Sequence, residues 1–313
     1  MPRIEDGVDV RTIALERSEL SQVLACVADA ATVDGVPPLS DQTLLRIAHP
    51  DIDGSPGVHL LVYRDRSVVG YGYAAGGESE IVVHPGHRRV GHGRALLATA
   101  LHHAPRTTGQ LRLWAHGEHP GAVRLAVKFE LTRDRILWRM ERLLHDGNPE
   151  LGVSQLPESV RLRSFVPGQD EAAWLALNRR AFAGHSEQAS WELSDLKLRE
   201  AEPWFDAGGF LLAERVDDGA LLGAHWTKIH PATASKTVVG SSIGEVYVLS
   251  VDPDAHGGGL GRALLTAGLR YLQQRGMRRA MLYADATNTA AVRLYDKLGF
   301  SPAGIDVQYL ANG

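Results

Sequence analysis

The chain is predicted to be an α/β protein made of two tandem copies of one domain, each a mixed, mostly antiparallel sheet flanked by helices. Three observations predict this. The length of 313 residues exceeds the usual extent of one hydrophobic core, so two domains are expected. The chain is internally duplicated: Pro85 and Pro253, and Arg94-Ala-Leu-Leu97 and Arg262-Ala-Leu-Leu265, share an offset of 168 residues, while Leu113-Trp-Ala115 and Ala122-Val-Arg-Leu125 match Leu282-Tyr-Ala284 and Ala291-Val-Arg-Leu294 at 169. Both copies also alternate strand-like and helical segments in the same order, as layered α/β folds do. Between them, His145 to Glu158 is rich in turn formers and aperiodic, so it reads as a linker and places the domains at 1–150 and 151–313.

Taken in order, Leu20 to Ala31 has the apolar spacing of a helix, and Val58 to Tyr63, Val68 to Tyr73 and Glu80 to Val83 are short β-branched runs. A helix follows from the glycine turn to about His103, then a strand at Leu111 to Ala115, a short helix at Gly121 to Lys128 and a strand at Ile136 to Glu141. In the second copy, Glu171 to Phe182 and Leu193 to Glu200 read as helices, and Phe210 to Glu214, Leu221 to Thr227 and Val246 to Val251 as strands. Leu260 to Gln274 is helical, Arg279 to Tyr283 extended and Thr289 to Leu298 helical, with Asp306 to Leu310 as the strand that closes the sheet.

Composition narrows the function classes. A hydrophobic content of 44% and a charged content of 22% are ordinary for a globular protein, and no apolar run approaches a membrane span. The N-terminus has no secretory pattern, so a cytoplasmic setting is expected. A net charge of −4 without a long basic run gives no footprint for nucleic acid, which favours small-molecule partners, and a monomer is expected. The one cysteine, Cys26, suits a small buried position on the first helix. His84, His87 and His92, and also His116 with His119, are grouped, but those near the glycine turn lack a fixed carboxylate companion and are free to hydrogen-bond phosphate or water instead, so no metal is expected.

The chemistry lies where a strand meets a glycine turn that opens a helix: Glu245 to Arg262, with its twin from Ile81 to Leu97. Such a turn leaves backbone N–H groups pointing outward with the positive end of the helix dipole behind them, a natural seat for phosphate. Arg88-Arg-Val-Gly91-His-Gly93 and His256-Gly-Gly-Gly259-Leu-Gly261, with the order of elements around them, resemble the GNAT superfamily of N-acetyltransferases, whose signature is Arg/Gln-x-x-Gly-x-Gly/Ala. The second copy departs from it at His256.

The resemblance implies two GNAT-like domains and acetyl-CoA as co-substrate. In the first copy the cofactor would lie against Ile81, Val82 and Val83 and the loop Arg88, Arg89, Val90, Gly91, His92, Gly93 and Arg94. In the second it would lie against Leu249, Ser250 and Val251, the loop His256, Gly257, Gly258, Gly259, Leu260, Gly261 and Arg262, and the helix start Asn288, Thr289, Ala290, Ala291, Val292 and Arg293. Acetyl transfer to an amine needs a base for the ammonium and a donor for the departing thiolate. Glu245 and Tyr295 are the candidates for these roles. Counting along the copies, Tyr295 corresponds to Ala126, Asn288 to His119 and Glu245 to a position near Gly77, so only the second copy is expected to turn over, while the first binds acetyl-CoA or serves as scaffold.

Over its full length the chain resembles the tandem branch of that superfamily that acetylates desacetylmycothiol, the cysteine amide of glucosaminyl-inositol. Val33-Asp-Gly-Val-Pro-Pro38, Leu113-Trp-Ala-His-Gly117, Ala181-Phe-Ala-Gly-His-Ser-Glu-Gln188, His225-Trp-Thr-Lys-Ile-His-Pro231 and Gly244-Glu-Val-Tyr-Val-Leu249 carry this resemblance. It implies Asp41, Glu187, Lys228, Glu245 and Tyr283 as contacts to the sugar-cysteine substrate, with the loop between Pro231 and Gly244 affecting access. Two alternatives stay open: a tandem N-acetyltransferase for an aminoglycoside, another small amine or a protein N-terminus, and a non-catalytic acetyl-CoA sensor.

Overall fold

In the computed structural model, which describes residues 3–5, 7–11, 14–49, 57–103, 110–144, 151, 156–184, 186–230 and 242–312, the first copy supplies seven strands: β1 (Arg3–Glu5), β2 (Val8–Arg11), β3 (Val58–Arg64), β4 (Ser67–Ala75), β5 (Glu78–Val83), β6 (Gln110–His116) and β7 (Thr132–Leu143). Its helices are α1 (Arg17–Asp34), α2 (Asp41–Ala48), α3 (His92–His102) and α4 (Pro120–Lys128). The second copy supplies β8 (Val160–Ser164), α5 (Glu171–Ala181), α6 (Ser186–Ala189), α7 (Leu193–Glu200), β9 (Phe210–Arg215), β10 (Leu221–His230) and β11 (Ile243–Val251). It ends with α8 (Leu260–Gln274), β12 (Arg279–Asp285), α9 (Thr289–Lys297) and β13 (Ser301–Asn312). Every element expected from the sequence is present; β1, β2, α2, β8 and α6 are additional. Most of the expected linker, and the loop at 231–241, lie outside the described residues.

The two expected sheets are one. Thirteen strands run in the order β1-β2-β3-β4-β5-β6-β13-β7-β12-β11-β10-β9-β8. The copies exchange their last strands: β13 lies between β6 and β7, with Asp306 opposite both His116 and Leu137, and β7 pairs with β12 of the second copy. Asp306 to Leu310 therefore pairs only with strands of the first copy, and β7 takes the place beside β12. The exchange gives β6 and β12 partners on the sides facing each other, so no row of unpaired backbone groups is left between the copies.

The strands alternate with period two between buried layers. In the first copy, Leu60 and Val62 pack with Leu96, Leu97 and Ala100 of α3, whereas Leu61 packs with Val23, Val27 and Ala30 of α1. In the second, α8 and α9 cover one face with Leu265, Leu269 and Tyr295, and α5 and α7 cover the other, where Trp174, Phe210 and Trp226 form an aromatic core. Phe210 stacks on Trp226 at 4.4 Å, and Trp174 meets it edge-on at 5.7 Å. Cys26 is buried in α1, and burial pushes its thiol up to about 11.

A buried ionic cluster marks the seam between the copies. His116 on β6 directs Nδ1 at Asp306 of β13 (2.8 Å) and Nε2 at Glu80 of β5 (2.9 Å). With a carboxylate on each nitrogen, both must carry hydrogen, so the ring is an imidazolium. Burial alone would lower its pKa, but the two carboxylates raise it to about 10, and His116 in turn holds the buried Glu80 below its ordinary value. A raised histidine pKa contributes stability that is complete below the unfolded value, about 6.5, and is lost as pH rises through the folded one. The thermal midpoint is expected to fall as pH is raised from 6.5 towards 10, and less steeply in His116→Gln, which has no proton to lose. Equal slopes in the two proteins would contradict this.

Candidate active site

Two parallel strand pairs occur among the described residues, and both part early. On β11 and β12 the pairing is Gly244 with Ala280 and Glu245 with Met281; on β5 and β6 it runs from Glu78 to Glu80. Beyond Glu245 the edge of β11 towards β12 has no strand partner, so a V opens whose mouth is met by the N-terminus of α8. Leu249, Ser250 and Val251 lie along this open edge, and α3 meets the corresponding opening in the first copy.

The glycine turns are built alike. Gly91 and Gly259 are the N-caps of α3 and α8, with φ of +102° and +80°, a region that strains any L side chain. A Cβ at Gly93 would press on Leu125, and one at Gly261 would meet Val251 and Leu294 in ordinary contact, so the helix starts lie against the strand and the neighbouring short helix. Arg88 donates from Nε to the Val83 carbonyl at 3.0 Å and binds Asp34 through both terminal nitrogens at 2.7 Å. His256 sits opposite the matching carbonyl, with Nε2 3.3 Å from Val251 O. The departure from the signature therefore keeps the tie across the loop, which a neutral Nε2–H tautomer can supply. The charge of Arg88 is already matched by Asp34, so what the two copies share at this position is the tie to the strand. At the short helices, Asn288 accepts from the Ala291 N–H at 3.1 Å and caps α9, while His119 accepts from the Gly121 N–H at 3.0 Å and caps α4.

Across the strands, Lys228 on β10 stands opposite Glu245, and Glu245 opposite Met281, so these side chains share one face. Tyr283 lies on that face two residues along β12, partly exposed, with burial of its hydroxyl raising its pKa. Lys228 is buried. Its ammonium forms an ion pair with Asp41 at the start of α2 and lies 4.4 Å from the Trp204 ring and 5.2 Å from Tyr247. Burial alone would raise Asp41, but Lys228 keeps its pKa below the ordinary value. Glu245 is buried too, and His230 donates to it from Nε2 at 2.6 Å. A cavity of about 330 Å³ lies beside the Asp41–Lys228 pair, lined by Asp41, Leu44 and Leu45 of the first copy and by Trp204, Lys228 and His230 of the second.

Tyr295 approaches from the other face. It packs with Val246, Leu265 and Leu282, its ring 6.0 Å from Phe300, and burial lifts its phenol to about 12. Glu245 and Tyr295 thus belong to opposite faces of the sheet at the point where β11 and β12 part.

The structure brings together Asp41, Lys228, Glu245 and Tyr283 of the expected set. The side chain of Glu187, on α6, lies outside the described residues. One correspondence is made definite. Trp226 pairs with Val248 and Thr227 with Val246, so Tyr247 is a bulge residue that β5 lacks, and the counterpart of Glu245, expected near Gly77, is the adjacent Glu78. The first copy keeps a carboxylate there; the Tyr295 position is the buried Ala126. His230, Trp204 and Tyr247 escaped the sequence reading, although His230 stands two residues from Lys228 on a strand and so faces the same way. Of the histidines near the first turn, His84 accepts from the Gly86 N–H and, against expectation, has a carboxylate beside it, with Nε2 3.2 Å from Asp29; among the described residues no group of three or more metal-ligating side chains is assembled.

The Acetyltransferase (GNAT) family profile matches twice, over residues 28–130 and 173–300. The chain belongs to the GNAT acetyltransferase family. This N-acetyltransferase is 51% identical over 291 residues to the mycothiol acetyltransferase of Thermobispora bispora, covering 92% of this chain and 94% of that one. It is 49% identical to the mycothiol acetyltransferase of Salinispora arenicola, over 96% and 95%. A tandem GNAT protein from the clavulanic acid biosynthesis pathway shares the fold at a TM-score of 0.72 and 22% identity, over 97% of this chain and 98% of that one. No helix among the described residues is long and apolar enough to cross a membrane.

Proposed function

We propose that this acetyltransferase transfers the acetyl group of acetyl-CoA to the cysteinyl amine of desacetylmycothiol, giving mycothiol and CoA, at the V of the second copy. The observation that carries this reading is the identity of about half the residues, over nearly the whole chain, with proteins named mycothiol acetyltransferase. The site suits such a substrate. Carboxylates at Asp41 and Glu245 attract an ammonium, and Lys228, Tyr283 and Glu187 are suited to hydrogen-bond sugar and inositol hydroxyls. On this reading the enzyme works as a monomer on small molecules in the cytoplasm, where Cys26 stays reduced.

The second turn fits acetyl-CoA: three glycines precede α8, the N-cap glycine leaves the helix N–H groups uncovered, and the open edge of β11 offers backbone groups for sheet-like bonds to a pantetheine arm. Bound acetyl-CoA supplies an activated acetyl group as a thioester. Glu245 takes the proton of the substrate ammonium, directly or through water, while His230 fixes its carboxylate. An N–H at Leu249 polarises the carbonyl oxygen. Tyr295 donates its O–H towards sulfur from the opposite face, and at a pKa of about 12 it remains a donor throughout the working range. The first copy, with Ala126 at that place, is taken to bind acetyl-CoA or to serve as scaffold.

Gly259→Val adds about 1–2 kcal/mol of strain at positive φ and covers the N–H groups, so the KM for acetyl-CoA is expected to rise about tenfold. The same change at Gly91 should leave transfer unaltered; a comparable loss in a folded Gly91→Val protein would place turnover in the first copy as well. The substrate is tested by thiol release from acetyl-CoA with desacetylmycothiol, an aminoglycoside and a peptide amine. Preference for either of the last two would overturn the assignment.

A further inference from the structure

The seam cluster does more than join strands. Glu80 accepts from the Ser40 N–H at 3.0 Å and from its hydroxyl at 3.1 Å, and Ser40 Oγ in turn accepts from the Thr43 N–H, capping α2. The next residue is Asp41, ion-paired with Lys228, and after it Gln42 bonds both Asp195 (3.2 Å) and Arg199 of α7. The first turn of α2 is thus clamped on one side by the first copy and on the other by the second. Asp306 closes the chain behind His116 and also accepts from the Gly117 N–H at 2.9 Å. A buried ionic triad is poor value for stability alone, since apolar residues of similar volume commonly serve as well. Here each group faces a partner, and the line of contacts ends at the substrate cavity.

We propose that Glu80, His116 and Asp306 form a positioning relay that sets the first turn of α2, and with it Asp41, against Lys228 for binding of the amine substrate. None of the three lines the cavity; they act through Ser40. The relay exists only because β13 has crossed to the first copy, so the strand exchange contributes to the second copy's site. The inference rests on the reading of Asp41 as a substrate contact.

The test is a double-mutant cycle in the full-length enzyme, with steady-state kinetics for desacetylmycothiol and acetyl-CoA. Glu80→Ala is expected to raise the desacetylmycothiol KM about tenfold, the scale of one lost charge-assisted hydrogen bond, with kcat and the acetyl-CoA KM little changed. Glu80→Gln, which still accepts from Ser40 and can donate to a neutral His116, should restore most of the affinity. Asp41→Asn should raise the same KM, and adding Glu80→Ala to it should raise it no further, because the relay acts through Asp41. If Glu80→Ala does not fold, Ser40→Ala, which removes only the hydroxyl link, should give about a threefold rise that also vanishes in the Asp41→Asn background. Additive effects, or equal losses in kcat and in both KM values, would overturn the relay while leaving Asp41 as a contact. An unchanged KM in Asp41→Asn would instead remove Asp41 from the substrate site, and the relay with it.

Discussion

Glu245→Gln is expected to lower kcat by about 10²–10⁴, the range that one positioned base contributes, while the KM for acetyl-CoA changes little. The amide keeps the size of the carboxylate and can still accept from His230, so the fold should be intact. What disappears is the group able to take a proton from the ammonium. Because the amine must be neutral to attack, part of the loss should be recovered at high pH, where more substrate is already deprotonated. Single-turnover rates measured from pH 7 to 10 would show the variant rising towards the native enzyme. A variant with native kcat at pH 7 would remove Glu245 as the base.

The second large effect is at Tyr295. Tyr295→Phe deletes one oxygen from a ring packed among Val246, Leu265 and Phe300, so stability should be nearly unchanged. Turnover is expected to fall about 10²-fold, with acetyl-CoA affinity kept, because the lost hydrogen bond forms only as negative charge develops on sulfur. The phenol sits at about 12, pushed up by burial. Native kcat should therefore show no alkaline limb from this residue until the pH approaches that value. An alkaline limb near pH 9 that vanishes in Tyr295→Phe would contradict this, and an unchanged rate in that variant would remove Tyr295 as the donor.

The duplication, the element order and the two glycine turns were legible in the sequence because they depend on local rules: period-two and helical spacing, and positive φ at a helix start. Glu245 and Tyr295 were also readable as candidates, since both sit at fixed places in the repeat. Other features were not. The helix α2 spans eight residues after Pro37-Pro38, too short for its spacing to announce it, yet it carries Asp41 into the other copy's site. Lysine is a residue type that usually lies in solvent, yet aromatic rings more than twenty residues before Lys228 and nineteen after it give it a buried place. The Tyr247 bulge shifted the repeat by one residue, which sets the counterpart of Glu245 at Glu78, beside Gly77.

By itself the sequence determined that this chain is a duplicated α/β acetyltransferase with a glycine turn at a helix start in each copy. Tertiary structure alone decided that the copies are not independent, because strand exchange is a choice of partner among backbone groups that are chemically identical in every strand. That choice puts Asp306 beside His116 and α2 over β10. Residues nearly two hundred positions apart thereby become neighbours at one site.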